Sequence, residues 1–148
     1  MIRTGAAGVV LALALLISGV AGASDATFRS ALASWSLRIG ADARGIGLSA
    51  LNRHPRRLTA RALRFRRDAL RARRAISTIP VSTARGRRAK QLARAAFGDY
   101  ALVGSNWALA GRARLAHRPR AATRDARLAA TFARRANALL VEAGRLLR

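Results

Sequence analysis

Apolar residues recur at alternating spacings of three and four along most of the chain after residue 24, a pattern typical of helices that bury one side. The chain has three prolines, at positions 55, 80 and 119, and each lies where this pattern lapses. The intervals between them are rich in alanine, leucine and arginine, which are strong helix formers. The pattern therefore predicts helices over residues 25–51, 56–79, 83–116 and 121–147.

Each predicted helix carries one apolar stripe, and the stripes together form the candidate core. Their members, in chain order, are Phe28, Leu32, Trp35, Ile39, Ile46; Leu58, Ala62, Phe65, Ala69, Ala72, Ile76, Ile79; Ala89, Leu92, Ala96, Tyr100, Val103, Trp107, Ala110; and Leu128, Phe132, Ala136, Leu139, Ala143, Leu146. Short connections favour antiparallel neighbours. We therefore predict an all-α fold, an up-and-down four-helix bundle.

The third predicted helix has a second stripe on another side, made mostly of small residues. It comprises Phe97, Ala101, Gly104, Ala108 and Gly111. A helix that is apolar on two sides is usually the most buried one, and small residues let a neighbouring helix approach closely. This helix is therefore expected to lie at the centre of the packing.

A weak internal repeat accompanies this pattern. Aligning Pro55 with Pro119 pairs LNRHPRRLTARA with LAHRPRAATRDA, and the same offset keeps the stripes of the first and third helices in phase. Two fused αα-hairpins would explain both observations. Chance matching in a chain so rich in arginine and alanine is the alternative.

The first 23 residues have the features of a secretory signal peptide. Arg3 precedes a short apolar run over residues 9–20, and Ala21, Gly22 and Ala23 supply a small-residue cleavage site. We predict cleavage after Ala23, which leaves residues 24–148 as a single helical domain that is secreted or periplasmic. A membrane anchor is the alternative, but the run is shorter than the roughly 20 residues that a spanning helix needs. The chain has no cysteine, which excludes disulfides and thiolate metal sites.

The strong positive charge of the chain favours acidic binding partners. The chain has 29 Lys and Arg against 6 Asp and Glu, a net charge of +23. An acidic polymer or an acidic protein surface is therefore the expected partner, and peripheral contact with an anionic membrane is compatible with the same charge. The aromatic residues fall in the stripes, so nucleic acid is expected to bind only non-specifically, through its backbone. Membrane-active basic amphipathic helices are an alternative function.

An arginine-rich cluster is predicted at one end of the bundle, where an up-and-down topology brings the first and third connections together. We name these seven residues the end cluster: Arg53, His54, Arg56, Arg57, His117, Arg118 and Arg120. Arginine grips phosphate, sulfate and carboxylate groups bidentately. No carboxylate or thiolate accompanies the two histidines, so we predict anion binding and no metal site. Two solvated loops without a ligand are the alternative.

Two further arginines, Arg66 and Arg73, lie one heptad apart beside the apolar stripe of the second helix. A charge at the edge of a core requires a partner. Asp42, Asp99 and Asn106 hold comparable positions on the first and third helices. The five residues therefore predict an internal polar network, with a pocket for a small anionic ligand as the alternative.

Catalytic chemistry finds little support in the residue pattern. The acids are scattered one or two to a helix, as Asp25, Asp42, Asp68, Asp99, Asp125 and Glu142. Asp68 lies four residues after Arg64 and three before Arg71, so ordinary ion pairs on the helix surface are expected for it. No nucleophile or metalloprotease motif is present, since the segment from Gly47 to Leu51 lacks the second glycine of a nucleophile elbow. We therefore expect a non-enzymatic protein without a cofactor.

Overall fold

The computed structural model describes the backbone of residues 6–148 and the side chains of residues 24–148. Regular structure in the described part of the chain is entirely helical, without a strand. The helices are α1 (Ala6–Leu51), α2 (Pro55–Thr78), α3 (Ala84–Leu115) and α4 (Pro119–Leu146). An all-α fold of four helices is therefore confirmed, and it is consistent with the predicted bundle.

Local sequence signals explain where three of the helices begin. Pro55 and Pro119 occupy the first turns of α2 and α4, where a missing N–H costs no hydrogen bond. Thr83 caps α3 by accepting a hydrogen bond from the N–H of Gly86 at 2.8 Å. The ends of these helices therefore lie close to the positions predicted from the sequence.

The predicted signal peptide, residues 1–23, lies outside the side chains that the structure describes, and it remains a prediction. The helix α1 begins within this segment, at Ala6. No helix in the described ranges combines the length and the apolar character needed to cross a membrane.

The helix α3 lies between α2 and α4 and packs extensively against both, whereas α1 packs mainly against α2. Residues later in one helix contact residues earlier in the next helix, so neighbouring helices run antiparallel. For example, Arg61 and Asp68 of α2 contact Gly45 and Arg38 of α1, respectively. The predicted central position of the third helix is therefore correct.

The core is built from aromatic and small residues. Phe28, Phe65 and Phe97 are fully buried, and the ring of Tyr100 meets that of Phe65 edge to face with 5.8 Å between the centroids. The small-residue stripe of α3 is also buried. Its close approach to α2 is clearest at Gly104, where an added Cβ would lie 2.7 Å from the carbonyl oxygen of Ala62.

The predicted stripe of α4 needs a correction. Ala136 and Ala143 are buried as predicted, but Leu128 is exposed. The buried residues of α4 are a heptad of alanines and one acid: Ala122, Ala129, Ala136, Ala143 and Asp125. Small residues on this face permit α4 to pack closely on α3, so alanine holds the position that leucine was expected to hold. Phe132 and Leu139 lie beside this heptad and are half-buried.

Candidate anion-binding site

The connections α1–α2 and α3–α4 share one backbone geometry. The N–H of His54 donates to the oxygen of Ser49 at 3.1 Å, and the N–H of Arg118 donates in the same way to Ala113 at 2.8 Å. Arg53 and His117 precede these donors, and they adopt left-handed backbone conformations with φ of 51° and 53°. Each connection is therefore a Schellman-type helix end followed at once by a proline-initiated helix.

The left-handed positions in these turns are occupied by arginine and histidine. Glycine or asparagine is usual there, because a side chain in this conformation crowds the following carbonyl group. Arg53 and His117 occupy equivalent places in the two turns, as do His54 and Arg118. Each turn therefore contributes one histidine and one arginine at matching positions, in exchanged order.

The two turns lie at the same end of the molecule. The guanidinium of Arg114 in α3 donates to the carbonyl oxygen of Ala50 in α1 at 3.3 Å. A Cβ added at Gly111 in α3 would lie 3.0 Å from the carbonyl oxygen of Pro55, at the start of α2. The end of α3 therefore contacts both sides of the first connection, and this brings the two halves of the end cluster to one end.

Three shallow clefts surround this end, with volumes of about 560, 510 and 550 Å³. Arg53 and Arg114 line the first, Arg114 and Arg127 the second, and Arg127 also lines the third, together with Arg120 and Arg124. Shared residues link each cleft to the next. The arrangement is a continuous arginine-lined surface rather than an enclosed pocket.

All seven residues of the end cluster are exposed. Among the described side chains, none of the seven forms an ion pair with a carboxylate within 4.0 Å. The acids are engaged elsewhere: Asp125, on the same helix as Arg120, is buried and pairs with Arg124 at 3.0 Å. The positive charge of the end cluster is therefore unbalanced by neighbouring protein groups.

The amino termini of α2 and α4 lie at this end beside the carboxyl ends of α1 and α3, whose dipoles oppose theirs, so the local backbone donors matter more than the summed dipoles. Their N-cap residues, His54 and Arg118, make no side-chain capping hydrogen bond. The first backbone N–H groups of a helix lack intrahelical partners and carry the positive end of the helix dipole. Uncapped helix starts beside guanidinium groups are well suited to phosphate, sulfate or carboxylate groups.

The second predicted set of residues does not form the expected network. Asp42 pairs with Arg64 at 3.9 Å, and Asp99 accepts two hydrogen bonds from Arg135, at 2.6 and 2.7 Å. Asp42 therefore lies at the α1–α2 interface and Asp99 at the α3–α4 interface. The expectation that these acids share one network is wrong.

The partners assigned to Arg66 and Arg73 also need correction. Both side chains are exposed, and neither forms an ion pair within 4.0 Å with any described carboxylate. The Cβ of Arg66 packs against Gly104 of α3, and the guanidinium of Arg73 lies over Gly98, so the small residues of α3 leave room for both side chains. Asn106 donates to the carbonyl oxygen of Leu102 within its own helix at 2.8 Å.

A buried acid that the sequence placed on the surface lies between α1 and α2. Asp68 is 2% exposed and pairs with Arg38, Arg64 and Arg71 at 3.8, 3.8 and 3.2 Å. The pairs with Arg64 and Arg71 were expected from their spacing, but burial of the carboxylate was not. Its position next to the apolar stripe of α2 was the available signal.

Asp42 lies beside Asp68, and its pKa is raised above the ordinary value for an aspartate. Burial raises the pKa of Asp42, the neighbouring Asp68 carboxyl raises it further, and Arg64 and Arg38 oppose the shift. The Oδ2 atom of Asp42 is buried without a hydrogen-bond partner. This pair belongs to the packing of α1 on α2, away from the end cluster.

Metal-binding groups are not brought together in the described part of the chain. No three histidine, aspartate or glutamate side chains there form a set that would hold a metal ion. His54 and His117 lie among arginines instead.

Comparison with known proteins finds no match, whether the chain is compared with protein-family models, with curated proteins or with solved structures.

Proposed function

We propose that this is an exported, non-enzymatic protein that binds an acidic polymer or an acidic protein surface through the end cluster. Residues 1–23 act as the signal peptide, and residues 24–148 form the mature domain. In the mature protein the two connections present matched arginine-rich turns side by side. The protein thus acts by charge and by the spacing of its turns rather than by bond-making chemistry.

The observation that carries the proposal is the unbalanced charge at this end of the molecule. Seven exposed basic residues lie around two uncapped helix starts without a carboxylate partner among the described residues. A surface of linked open clefts suits an extended polymer, since successive anionic groups of one chain can contact Arg53, Arg114 and Arg127 in turn. A single small anion would meet only one of these clefts.

The matched turns also support the internal repeat. Chance agreement of residue letters does not require the same backbone hydrogen bonds, yet both connections make them at equivalent positions. We propose that each half of the domain is one αα-hairpin of an up-and-down bundle. The two hairpins then contribute one half of the end cluster each.

The two alternatives from the sequence lose support. Arg66 and Arg73 are exposed, so they lack the core-edge burial on which a small-anion pocket depended. The apolar faces of α2 and α4 pack in the core, with Phe65 and Ile76 buried. Membrane insertion of these helices would require the bundle to open.

Titration calorimetry against a polymer and a monomer tests the proposal. Heparin and random-sequence duplex DNA are expected to bind, with affinities that fall steeply between about 50 and 200 mM salt, because binding releases counterions. Inorganic sulfate and phosphate are expected to bind weakly at best. Tight binding of the monomeric anions, or polymer affinity that is independent of salt, would contradict it.

Export is tested separately by the mass of the protein recovered outside the cytoplasm. Cleavage after Ala23 predicts a mature chain that begins at Ser24. Recovery of the uncleaved chain would contradict the signal-peptide prediction without affecting polymer binding by the domain.

A further inference from the structure

The first and last helices of the bundle leave a cleft between them. Contact between α1 and α4 is sparse, and a cleft of about 200 Å³ separates them over part of their length. Leu32 and Ala33 of α1 form one wall, and Leu140 of α4 forms the other together with Leu147, the residue that follows α4. The walls are therefore aliphatic, in contrast to the arginine-lined surface of the end cluster.

The cleft has one charged mouth. Arg29 and Arg148 line it together with the aliphatic walls. Since α1 and α4 run in opposite directions, Arg29, which precedes Leu32 on α1, and Arg148, which follows α4, lie at the same end of the cleft. Ser36 and Leu140 lie toward the other end. The cleft is thus polarised along its length, with both cations at one mouth.

Neither cation at this mouth has an acidic partner. Among the described residues, Arg29 and Arg148 form no ion pair within 4.0 Å, and both side chains are exposed. Asp25, one turn before Arg29 on α1, accepts hydrogen bonds from Ser82 and Thr83, and Glu142 on α4 pairs with Arg145 at 3.6 Å. The mouth therefore has two guanidinium groups against one carboxylate, the terminal one of Arg148, and it still attracts an anionic group.

We propose that this cleft binds an unbranched fatty-acid anion, with its carboxylate between Arg29 and Arg148 and its alkyl chain along Leu32 and Leu140. Guanidinium groups are strong partners for a carboxylate. The small volume between two parallel aliphatic walls admits one alkyl chain but not a helix of a partner protein. This site is independent of the end cluster, which lies at the other end of α4.

Gly144 provides a way to fill the cleft without disturbing the fold. It lines the cleft, and an added Cβ there would meet no heavy atom within 4 Å. The substitution Gly144→Leu therefore places an alkyl side chain where the ligand would lie. Leucine is also a better helix former than glycine, so loss of binding would not arise from unfolding. A Cβ added at Gly47 would also meet no heavy atom within 4 Å, but Gly47 lies on α1 away from the cleft. Gly47→Leu is therefore the matched control.

The test is calorimetric titration of the purified protein with octanoate, decanoate and dodecanoate below their micelle concentrations. Affinity is expected to rise about fourfold for each methylene that enters the cleft, until the cleft is full. Gly144→Leu is expected to weaken decanoate binding at least about tenfold, whereas Gly47→Leu leaves it unchanged. The fold of each variant is checked by circular dichroism.

A second pair of measurements tests the charged mouth. The double substitution of Arg29 and Arg148 by glutamine is expected to weaken the binding of decanoate but to leave the binding of the uncharged decanol unaltered.

Equal binding of decanoate to Gly144→Leu and to the parent protein would overturn the proposal, as would an affinity that does not depend on the length of the alkyl chain. If Gly144→Leu instead abolished a dimer seen by light scattering while decanoate bound equally well, the cleft would be an interface between copies and the proposal would be wrong. Polymer binding by the end cluster is expected to be the same in every variant.

Discussion

The substitution Gly104→Ala tests the close packing of α3 against α2. The Cβ of an alanine at this position would lie 2.7 Å from the carbonyl oxygen of Ala62 and 2.8 Å from the backbone nitrogen of Arg66. Ordinary van der Waals contact begins at 3.4 Å, so the nearest atom is too close by about 0.7 Å. The crowding atoms belong to the backbone of α2 and cannot rotate away, so the two helices must separate.

Two effects of opposite sign set the magnitude. Overpacking of a well-filled interface costs about 1–3 kcal/mol, and replacing a helical glycine by alanine gains about 1 kcal/mol. Gly104→Ala is therefore expected to range from neutral to about 2 kcal/mol destabilising. Gly40→Ala is the matched control, because a Cβ there meets nothing within 4 Å and only the gain in helix propensity applies.

Urea unfolding followed by circular dichroism measures both variants. With a slope of about 1–3 kcal/mol per molar urea, the control is expected to unfold at higher urea than the parent protein and Gly104→Ala at the same or lower urea. The difference in the free energy of unfolding between the two variants is expected to be about 1–3 kcal/mol. Equal stabilisation by both substitutions would refute the close approach of α2 and α3.

Three further substitutions test the carboxylates of Asp42, Asp25 and Asp99. Asp42→Asn is expected to stabilise the fold at neutral pH, because the pKa of Asp42 is higher in the folded protein than its unfolded value of 3.8, and the fold therefore loses stability as the pH rises through the folded pKa. Unfolding measured at a series of pH values should show that the stabilisation by Asp42→Asn disappears at pH values below 3.8. Asp25→Asn is expected to destabilise the fold at neutral pH but not at low pH. The hydrogen bond from Thr83 lowers the pKa of Asp25, so the stability that the Asp25 carboxylate contributes is lost as the pH falls through its folded pKa. An effect of Asp25→Asn that does not depend on pH would contradict this prediction. Arg135→Gln leaves the buried Asp99 without its guanidinium and is expected to lower the free energy of unfolding more than Arg134→Gln, which touches no carboxylate among the described residues. Similar effects of the two substitutions would contradict the pairing.

The helices were predictable because their signals are local. Apolar spacing identified the core face of α2 down to Phe65 and Ile76, and the prolines at 55 and 119 marked the helix starts. The small-residue stripe correctly identified α3 as the central helix. These features depend only on residues within one helix, so one sequence is sufficient to predict them.

Pairing between helices was less predictable, because it depends on how each helix rotates and slides against its neighbour. Helical spacing placed Arg66 and Arg73 at the core edge, but it did not indicate that they would face α3 while Arg64 reached Asp42 on α1. The same limit explains the α4 error. Its leucines satisfied the expected spacing, but close packing on α3 favoured the alanine heptad, and Leu128 remained exposed.

The end cluster is a case in which topology supplied what spacing did not. Arg53 and His117 are far apart in the sequence, and only the alternation of helix directions brings their turns to one end. The role of Arg114 in joining the turns was missed, because its contact is with a backbone carbonyl that no residue pattern identifies. Its position, offset from Ala50 by the same interval as Pro119 from Pro55, was the signal present in the repeat.

The salt dependence of duplex DNA binding by two variants of equal net charge tests the central claim most directly. One variant carries Arg53, Arg56, Arg118 and Arg120 as glutamine, and the other carries four exposed arginines remote from the end cluster as glutamine. These control positions are Arg67, Arg74, Arg85 and Arg88.

The logarithm of the affinity falls linearly with the logarithm of the salt concentration, and each phosphate contact that is lost makes this slope shallower by about 0.9. If the end cluster holds the polymer, its variant is expected to lose about three to four from this slope and most of its affinity, while the control variant loses much less. Equal losses in both variants would show that net charge alone, and not the end cluster, binds the polymer, and this result would contradict the account.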